Sequence, residues 1–189
     1  MTKIFDEYLT RVVNEYSGPK LAIIVAGGGS GIARLCVIPG VSKVLYSMVC
    51  PYDTAATIKL IEQNGGVCRY FKHKAVSPEA SWELARCWEV RGGKEVVVIG
   101  ITGAITTSRY RRGNNEAFIS IGRGEINAQY HIKLGKLPES IYEDHIIPWR
   151  EGVIFRTREK EDELIAMTAL NLATGISLPL EIQKEGNSL

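Results

Sequence analysis

Apolar residues fall along this chain in two alternating patterns, helical steps of three and four and short β-branched runs, and their order predicts most of the fold. Ile4, Phe5, Tyr8, Leu9, Val12, Val13 and Tyr16 share one face of a helix that ends at Ser17-Gly18-Pro19 and covers a sheet. Leu21-Ala22-Ile23-Ile24-Val25-Ala26 is an unbroken apolar run suited to a buried strand. It empties into Gly27-Gly28-Gly29-Ser30-Gly31. Ile32 to Ile38 makes a short helix stopped by Pro39-Gly40, and Val44 to Cys50 reads as a second strand, closed by Pro51, which has no N–H for the ladder. Asp53 caps a helix running through Glu62, with Asn64-Gly65-Gly66 as its stop. Ser77-Pro78-Glu79 opens the next helix, which runs to about Val90, with the serine hydroxyl as cap and proline at the first helical position.

Glu95 to Thr102 is the strongest β-branched run in the chain, of the kind buried on both faces, and it reads as the central strand. Glu116 to Gly122 and Ile126 to Leu134 alternate apolar and polar residues around Arg123-Gly124-Glu125, which predicts an antiparallel hairpin. Thr157 to Ala173 forms a last helix, strongly charged at its start and ended by Gly175. Strands interleaved with helices and then a hairpin give an α/β class: a three-layer α/β/α sandwich with a mixed sheet, one domain over residues 1–189.

Charge narrows the partners. Twenty-three Lys and Arg against 21 acids leave a net charge of +2, which gives no reason to expect nucleic acid or an anionic membrane. Asp6 and Glu7 sit where a signal peptide needs an apolar core, and no stretch is long enough to span a bilayer. Cys36, Cys50, Cys68 and Cys87 are far apart, without the paired spacing of a zinc site, and read as buried free thiols. These features predict a soluble protein of a reducing compartment, the cytoplasm, with no metal and no cofactor. His73, His131 and His145 are isolated from one another and read as structural or exposed.

Ligands of open α/β sheets collect in the loops beyond the strand ends. The glycine loop there has two readings. Its backbone N–H groups can approach a phosphate or carboxylate, or its glycines serve a tight turn alone; it has neither a dinucleotide fingerprint nor the Lys-Ser/Thr of a P-loop. After the second strand comes Tyr52, able to stack on a ring or donate its hydroxyl, or to pack at an edge. After the third, Thr102-Gly103 leads into Thr106, Thr107, Ser108, Arg109, Arg111 and Arg112, a dense set of donors for phosphate oxygens or else a solvated polar loop.

The ordered set Gly27-Gly28-Gly29-Ser30, Val37-Ile38-Pro39-Gly40-Val41-Ser42, Val49-Cys50-Pro51-Tyr52, Ala75-Val76-Ser77-Pro78-Glu79-Ala80 and Gly100-Ile101-Thr102-Gly103 resembles the CinA C-terminal domain family. That family includes nicotinamide mononucleotide deamidases of the PncC type, and the resemblance runs from about Ile4 to Ala173. The stretch Thr102 to Gly113, with its Arg111-Arg112-Gly113, is similar to a divergent branch found beside nucleotidyltransferase domains. Where the deamidases carry Glu-Ser-Cys-Thr-Gly-Gly, with the serine as nucleophile, this chain has Ile23-Ile24-Val25-Ala26-Gly27-Gly28. Where they carry Tyr-Ser-Asn-Glu-Ala-Lys it has Tyr52-Asp53-Thr54-Ala55-Ala56-Thr57, so the tyrosine matches and the lysine does not; Lys59 lies two residues on.

The resemblance implies a protein related to nicotinamide-nucleotide amidohydrolases that holds a pyridine nucleotide, such as nicotinamide mononucleotide, or a similar small phosphorylated ligand. The ligand-binding set is then Gly27, Gly28, Gly29, Ser30, Tyr52, Thr102, Gly103, Arg109 and Arg112. If an amide is hydrolysed, Ser30 replaces the missing nucleophile, Tyr52 or Lys59 accepts its proton, and the glycine-loop N–H groups hold the oxyanion. The competing reading is a non-catalytic oligomeric assembly or ligand-binding module, since domains of this family are often homo-oligomers.

Overall fold

A computed structural model describes residues 2–92, 95–124, 126–139, 142 and 148–180. Helix α1 is Thr2–Glu15, followed by strand β1 at Lys20–Gly27, 3-10 helices at Ser30–Val37 and Val41–Lys43, and β2 at Leu45–Val49. Then come α2 (Thr54–Gln63), α3 (Pro78–Gly92), β3 (Val96–Ala104), β4 (Glu116–Gly122), β5 (Ile126–Lys133) and α4 (Pro148–Thr174). The strands form one sheet in the order β2-β1-β3-β4-β5. β1 runs parallel to β2 and β3, while β3, β4 and β5 alternate in direction, so the sheet is mixed.

Alternation along the strands divides the core into two layers. Leu21, Ile23 and Val25 of β1, Ile99 and Ile101 of β3 and Ile119 of β4 cluster with Phe5 and Leu9 of α1 and Ile165 and Leu170 of α4. Ile24 and Ala26 face the other way, onto Ile61 of α2 and Leu84 of α3. α3 lies so close to β3 that a Cβ on Gly100 would stand 2.2 Å from the Ser81 carbonyl oxygen. Ser81 and Ser120 hydroxyls bond across that contact at 2.7 Å, so a polar pair is satisfied inside a tight helix–sheet interface. The three-layer α/β/α arrangement therefore follows from where β-branched and small residues sit on the strands.

The caps read from sequence are in place: Asp53 accepts from the N–H groups of Ala55 and Ala56 at 2.8 and 3.1 Å, and Ser77 Oγ accepts from Ala80 N–H at 3.1 Å. Several expectations are corrected. The helix expected over Ile32 to Ile38 is a 3-10 helix that starts at Ser30, because Gly29 takes φ 96° and launches the turn early. α4 begins at Pro148 rather than Thr157; proline suits a first helical turn. β2 stops at Val49, and β3 continues to Ala104. Cys68 and Cys87 are buried, but Cys36 and Cys50 are exposed; Cys36 lies in the last turn of its 3-10 helix and Cys50 past the end of β2. His131 pairs with Glu116 at 2.8 Å and stacks on Phe118, and His73 is exposed in a turn. Glu125 of the hairpin turn and His145 lie outside the described residues. No helix among the described residues is long and apolar enough to cross a membrane.

Candidate functional site

The chain leaves β1 for β2 through the 3-10 helices on the α1/α4 face, and returns to β3 through α2 and α3 on the opposite face. The crevice at the ends of β1 and β3 is thus a topological switch point, where open α/β sheets bind ligands. Here the two strand ends touch. Gly28 N–H donates to Gly103 O at 3.3 Å, and Gly27, at φ 100°, brings its Cα so near that a Cβ would stand 2.1 Å from that same oxygen. A Cβ on Gly28 would meet Ile105 and Ile165 side chains at 2.6 and 2.7 Å. Gly27 is therefore needed for a backbone-to-backbone approach, and the Ile105 and Ile165 side chains fill the space that a side chain on Gly28 would take.

The amides further along the loop converge on a negative charge, and it belongs to α4. Asp162 Oδ1 accepts hydrogen bonds from Gly29 N–H at 2.7 Å, Ser30 N–H at 2.9 Å and Ser30 Oγ–H at 3.1 Å, while Oδ2 accepts from Gly31 N–H. A carboxylate bound by consecutive backbone N–H groups at the start of a helical turn is the usual chemistry of an anion nest. In this protein the nest is occupied from within.

Two further α4 side chains tie down the other loops. Arg158 donates to Thr106 O at 2.7 Å and to the Tyr52 hydroxyl at 2.9 Å, and so joins the loop after β2 to the loop after β3. Glu161, 6 % exposed, accepts from Thr106 N–H at 2.6 Å and from Asn115 Nδ2 at 2.8 Å. Asn115 Nδ2 also donates to Thr106 Oγ1 at 3.0 Å, which completes a buried network holding Thr106. Tyr52 is 74 % exposed beside Arg158.

The residues expected to form a site are divided by this arrangement. Gly27, Gly28, Gly29, Ser30 and Gly103 come together, but through main-chain contacts and Asp162. Thr102 is fully buried, and its hydroxyl donates toward Ser77 O at 3.4 Å in the α3 layer, so it offers nothing to a ligand at the rim. Tyr52 joins the Thr106 loop through Arg158. Arg109 and Arg112 are exposed on that loop, and neither guanidinium has a partner among the described residues, whereas Arg111 donates to Asn114 O at 3.0 Å. Thr107 Oγ1 and Lys136 Nζ donate to the main-chain oxygens of Arg109 and Arg112, fixing the loop while leaving both side chains free. Lys59 is exposed on α2, and no hydrogen bond or ion pair joins it to Ser30 or Tyr52 among the described residues. Thr57, where the deamidases carry lysine, is buried with its hydroxyl bonded to Asp53 O. Ile24, where they carry the serine, is fully buried in the α2/α3 core.

Arg158, Glu161 and Asp162 were not singled out by sequence reasoning, which took them as part of a charged helix start. Their signal was present in the spacing: Asp162 lies three, four and seven residues before the buried Ile165, Ala166 and Ala169, on the apolar stripe of α4. An acid on such a stripe requires a polar partner. Beside the nest, the Cys50 thiol is pushed above its ordinary value, first by desolvation and then by the Asp162 charge, so it is a neutral thiol at neutral pH.

No family profile matches the sequence, and none of the curated protein sequences does either. Solved structures do match. A CinA superfamily protein from Klebsiella pneumoniae superposes with a TM-score of 0.59 over 90% of this chain and 98% of that one, at 16% identity. A CinA superfamily protein from Enterobacter cloacae gives 0.58 over 92% and 90%, at 13% identity. The competence/damage-inducible protein CihA from Agrobacterium tumefaciens gives 0.56 over 87% and 96%, at 17% identity. The fold is that of the CinA superfamily.

Proposed function

We propose that this CinA-fold protein binds a small phosphorylated ligand of the pyridine-nucleotide class at the rim formed by Tyr52, Arg158, Arg109 and Arg112, and does not hydrolyse it. The observation that carries this reading is the occupation of the glycine-loop amides by Asp162. An amide hydrolase needs donors free to receive the developing oxyanion, and a nucleophile with a base able to take its proton. Here the donors are already bonded. Asp162 Oδ1 accepts three hydrogen bonds, the Ser30 hydroxyl among them, which leaves it little capacity to act as a base. The positive charge still open to a ligand is on the arginines: Arg109 and Arg112 can fork onto phosphate oxygens, while Tyr52 offers a ring face for a nicotinamide or similar base. Four free cysteines go with a reducing cytoplasmic setting.

Titration calorimetry with nicotinamide mononucleotide, paired with an ammonia-release assay, tests the proposal. Binding without ammonia release is expected, and Arg109→Ala with Arg112→Ala should weaken it at least about tenfold, the loss of one charge-assisted contact. Ammonia release abolished by Ser30→Ala overturns the non-hydrolytic part. A null titration across nicotinamide mononucleotide and other phosphate-bearing nucleotides overturns the whole in favour of an oligomeric assembly module.

A further inference from the structure

We infer that a cavity between the end of α2 and the outer face of α3 binds a small aromatic carboxylate. The cavity lies on the Ile24/Ile61/Leu84 side of the sheet, the face opposite α4, so it is separate from the rim described above. Its volume of about 370 Å³ falls within the range of small-molecule sites. Ile61 forms an apolar floor, and Val67 and Tyr70, 66 % and 48 % exposed, stand at the mouth. Large apolar side chains left in water around a concavity are a feature that a ligand would cover. One wall is flat: the Arg86 guanidinium lies 4.5 Å over the Trp82 ring, a stacked surface that complements a planar ligand.

The charge of the cavity selects the polar group. Glu83 is 5 % exposed, and its carboxylate accepts from the N–H groups of Arg69, Tyr70 and Phe71 at 2.6, 2.9 and 2.8 Å. Its role is to hold the wall, and its oxygens are turned to the backbone. Arg69 lines the same cavity, and its exposed guanidinium has no hydrogen-bond or ion-pair partner among the described residues. One open cation beside a buried carboxylate favours a single negative charge over a phosphate dianion, since the second charge would be repelled by Glu83. A flat apolar body carrying one carboxylate meets all of these requirements.

An amide NMR titration of the whole chain with indole-3-acetate tests the inference, read at the indole N–H of Trp82, which is assigned by its loss in Trp82→Phe. A saturable shift of that signal is expected at about 1 mM acid. Arg69→Gln, a change at an exposed side chain, should weaken binding at least tenfold, Arg109→Gln should leave it unchanged, and the neutral analogue indole-3-ethanol should bind at least tenfold more weakly than the acid. The inference is overturned if the Trp82 signal does not move, if Arg69→Gln binds as the wild type does, or if acid and alcohol bind alike. Because Arg109 and Arg112 take no part, these outcomes are independent of those for the phosphorylated ligand.

Discussion

Replacing Asp162 by alanine should empty the glycine loop and convert it into a site for an external anion. The side chain accepts three backbone N–H groups and one hydroxyl. A hydrogen bond to a charged group contributes about 1.5–3 kcal/mol, but Asp162 is only half-buried and water will take over part of what is lost. A net cost of about 3 kcal/mol follows, which for a chain of this size is a fall of about 6–12 °C in Tm. Formate has the missing carboxylate and fits the vacated space. At ten times its Kd it restores RT ln 11, about 1.4 kcal/mol, or about 3–6 °C. The assay is a thermal scan of wild type and Asp162→Ala in sodium formate and in sodium chloride of equal ionic strength. The expected result is rescue of the variant by formate alone, with the wild type indifferent. A variant that melts within about 2 °C of wild type, or formate raising both proteins equally, would refute the claim that the loop amides form an anion nest filled by Asp162.

Other perturbations follow from the same geometry. Glu161→Gln turns one acceptor into an NH2 facing the donors of Thr106 and Asn115, so it should cost about 1–3 kcal/mol and speed hydrogen exchange at the Thr106 amide by a comparable factor. Gly27→Ala should abolish the fold or cost at least about 3 kcal/mol, because its Cβ would meet Gly103 O at 2.1 Å; Gly65→Ala, with φ 79° and nothing within 4 Å, should cost only about 1–2 kcal/mol, and chemical denaturation separates the two. Burial, and after it the Glu159 charge, pushes the Glu163 carboxyl above its ordinary 4.5, and both its oxygens lack a hydrogen-bond partner among the described residues. The folded state therefore holds this proton more tightly than the unfolded chain, and wild-type stability falls as pH rises from about 4.5 through the raised folded value. Glu163→Gln should be more stable than wild type at pH 7, with the two melting curves converging at acid pH, even though it gives up a 3.7 Å approach to Arg34, which keeps its 2.6 Å pair with Asp6.

The fold was legible wherever burial imposes a period on the sequence. β1 and β3 could be read because both their faces are covered, and α1 because five buried residues recur on one side of it. Asp53 and Ser77 could be read as caps because capping is local: side chain and amide lie within three residues. The site was legible only in outline, since its decisive contacts join residues from about fifty to more than a hundred apart. Nothing near Gly29 announces that its N–H will meet Asp162, and nothing near Tyr52 announces Arg158. Thr102 illustrates the opposite failure. It reads as the last residue of the central strand and as the first donor of the loop beyond it, yet β3 continues to Ala104, and the strand's alternation turns its hydroxyl into the α3 layer. Cys36 and Cys50 were misread for a related reason: apolar neighbours in sequence do not bury a thiol at the end of an element.

Three acids share one task in this structure. Asp162 gathers the amides of the glycine loop, Glu161 the Thr106 amide, and Glu83 the amides of residues 69–71. Each comes from a helix and reaches a turn elsewhere, so each converts a set of orphaned N–H donors, which would otherwise need water or a ligand, into a fixed contact of the fold. The loops are held in shape before any ligand arrives, and the backbone positive charge that such loops commonly present is already neutralised. In both proposed sites recognition falls to long, solvent-exposed guanidiniums, those of Arg109, Arg112 and Arg69. Exposed charges of this kind are screened within about 10 Å at 0.1 M salt and lose side-chain entropy when they engage. The architecture thus favours weak, salt-sensitive and reversible binding over the dry, preorganised electrostatics that catalysis requires, and that is the physical reason the binding reading stands ahead of hydrolysis for this CinA-type fold.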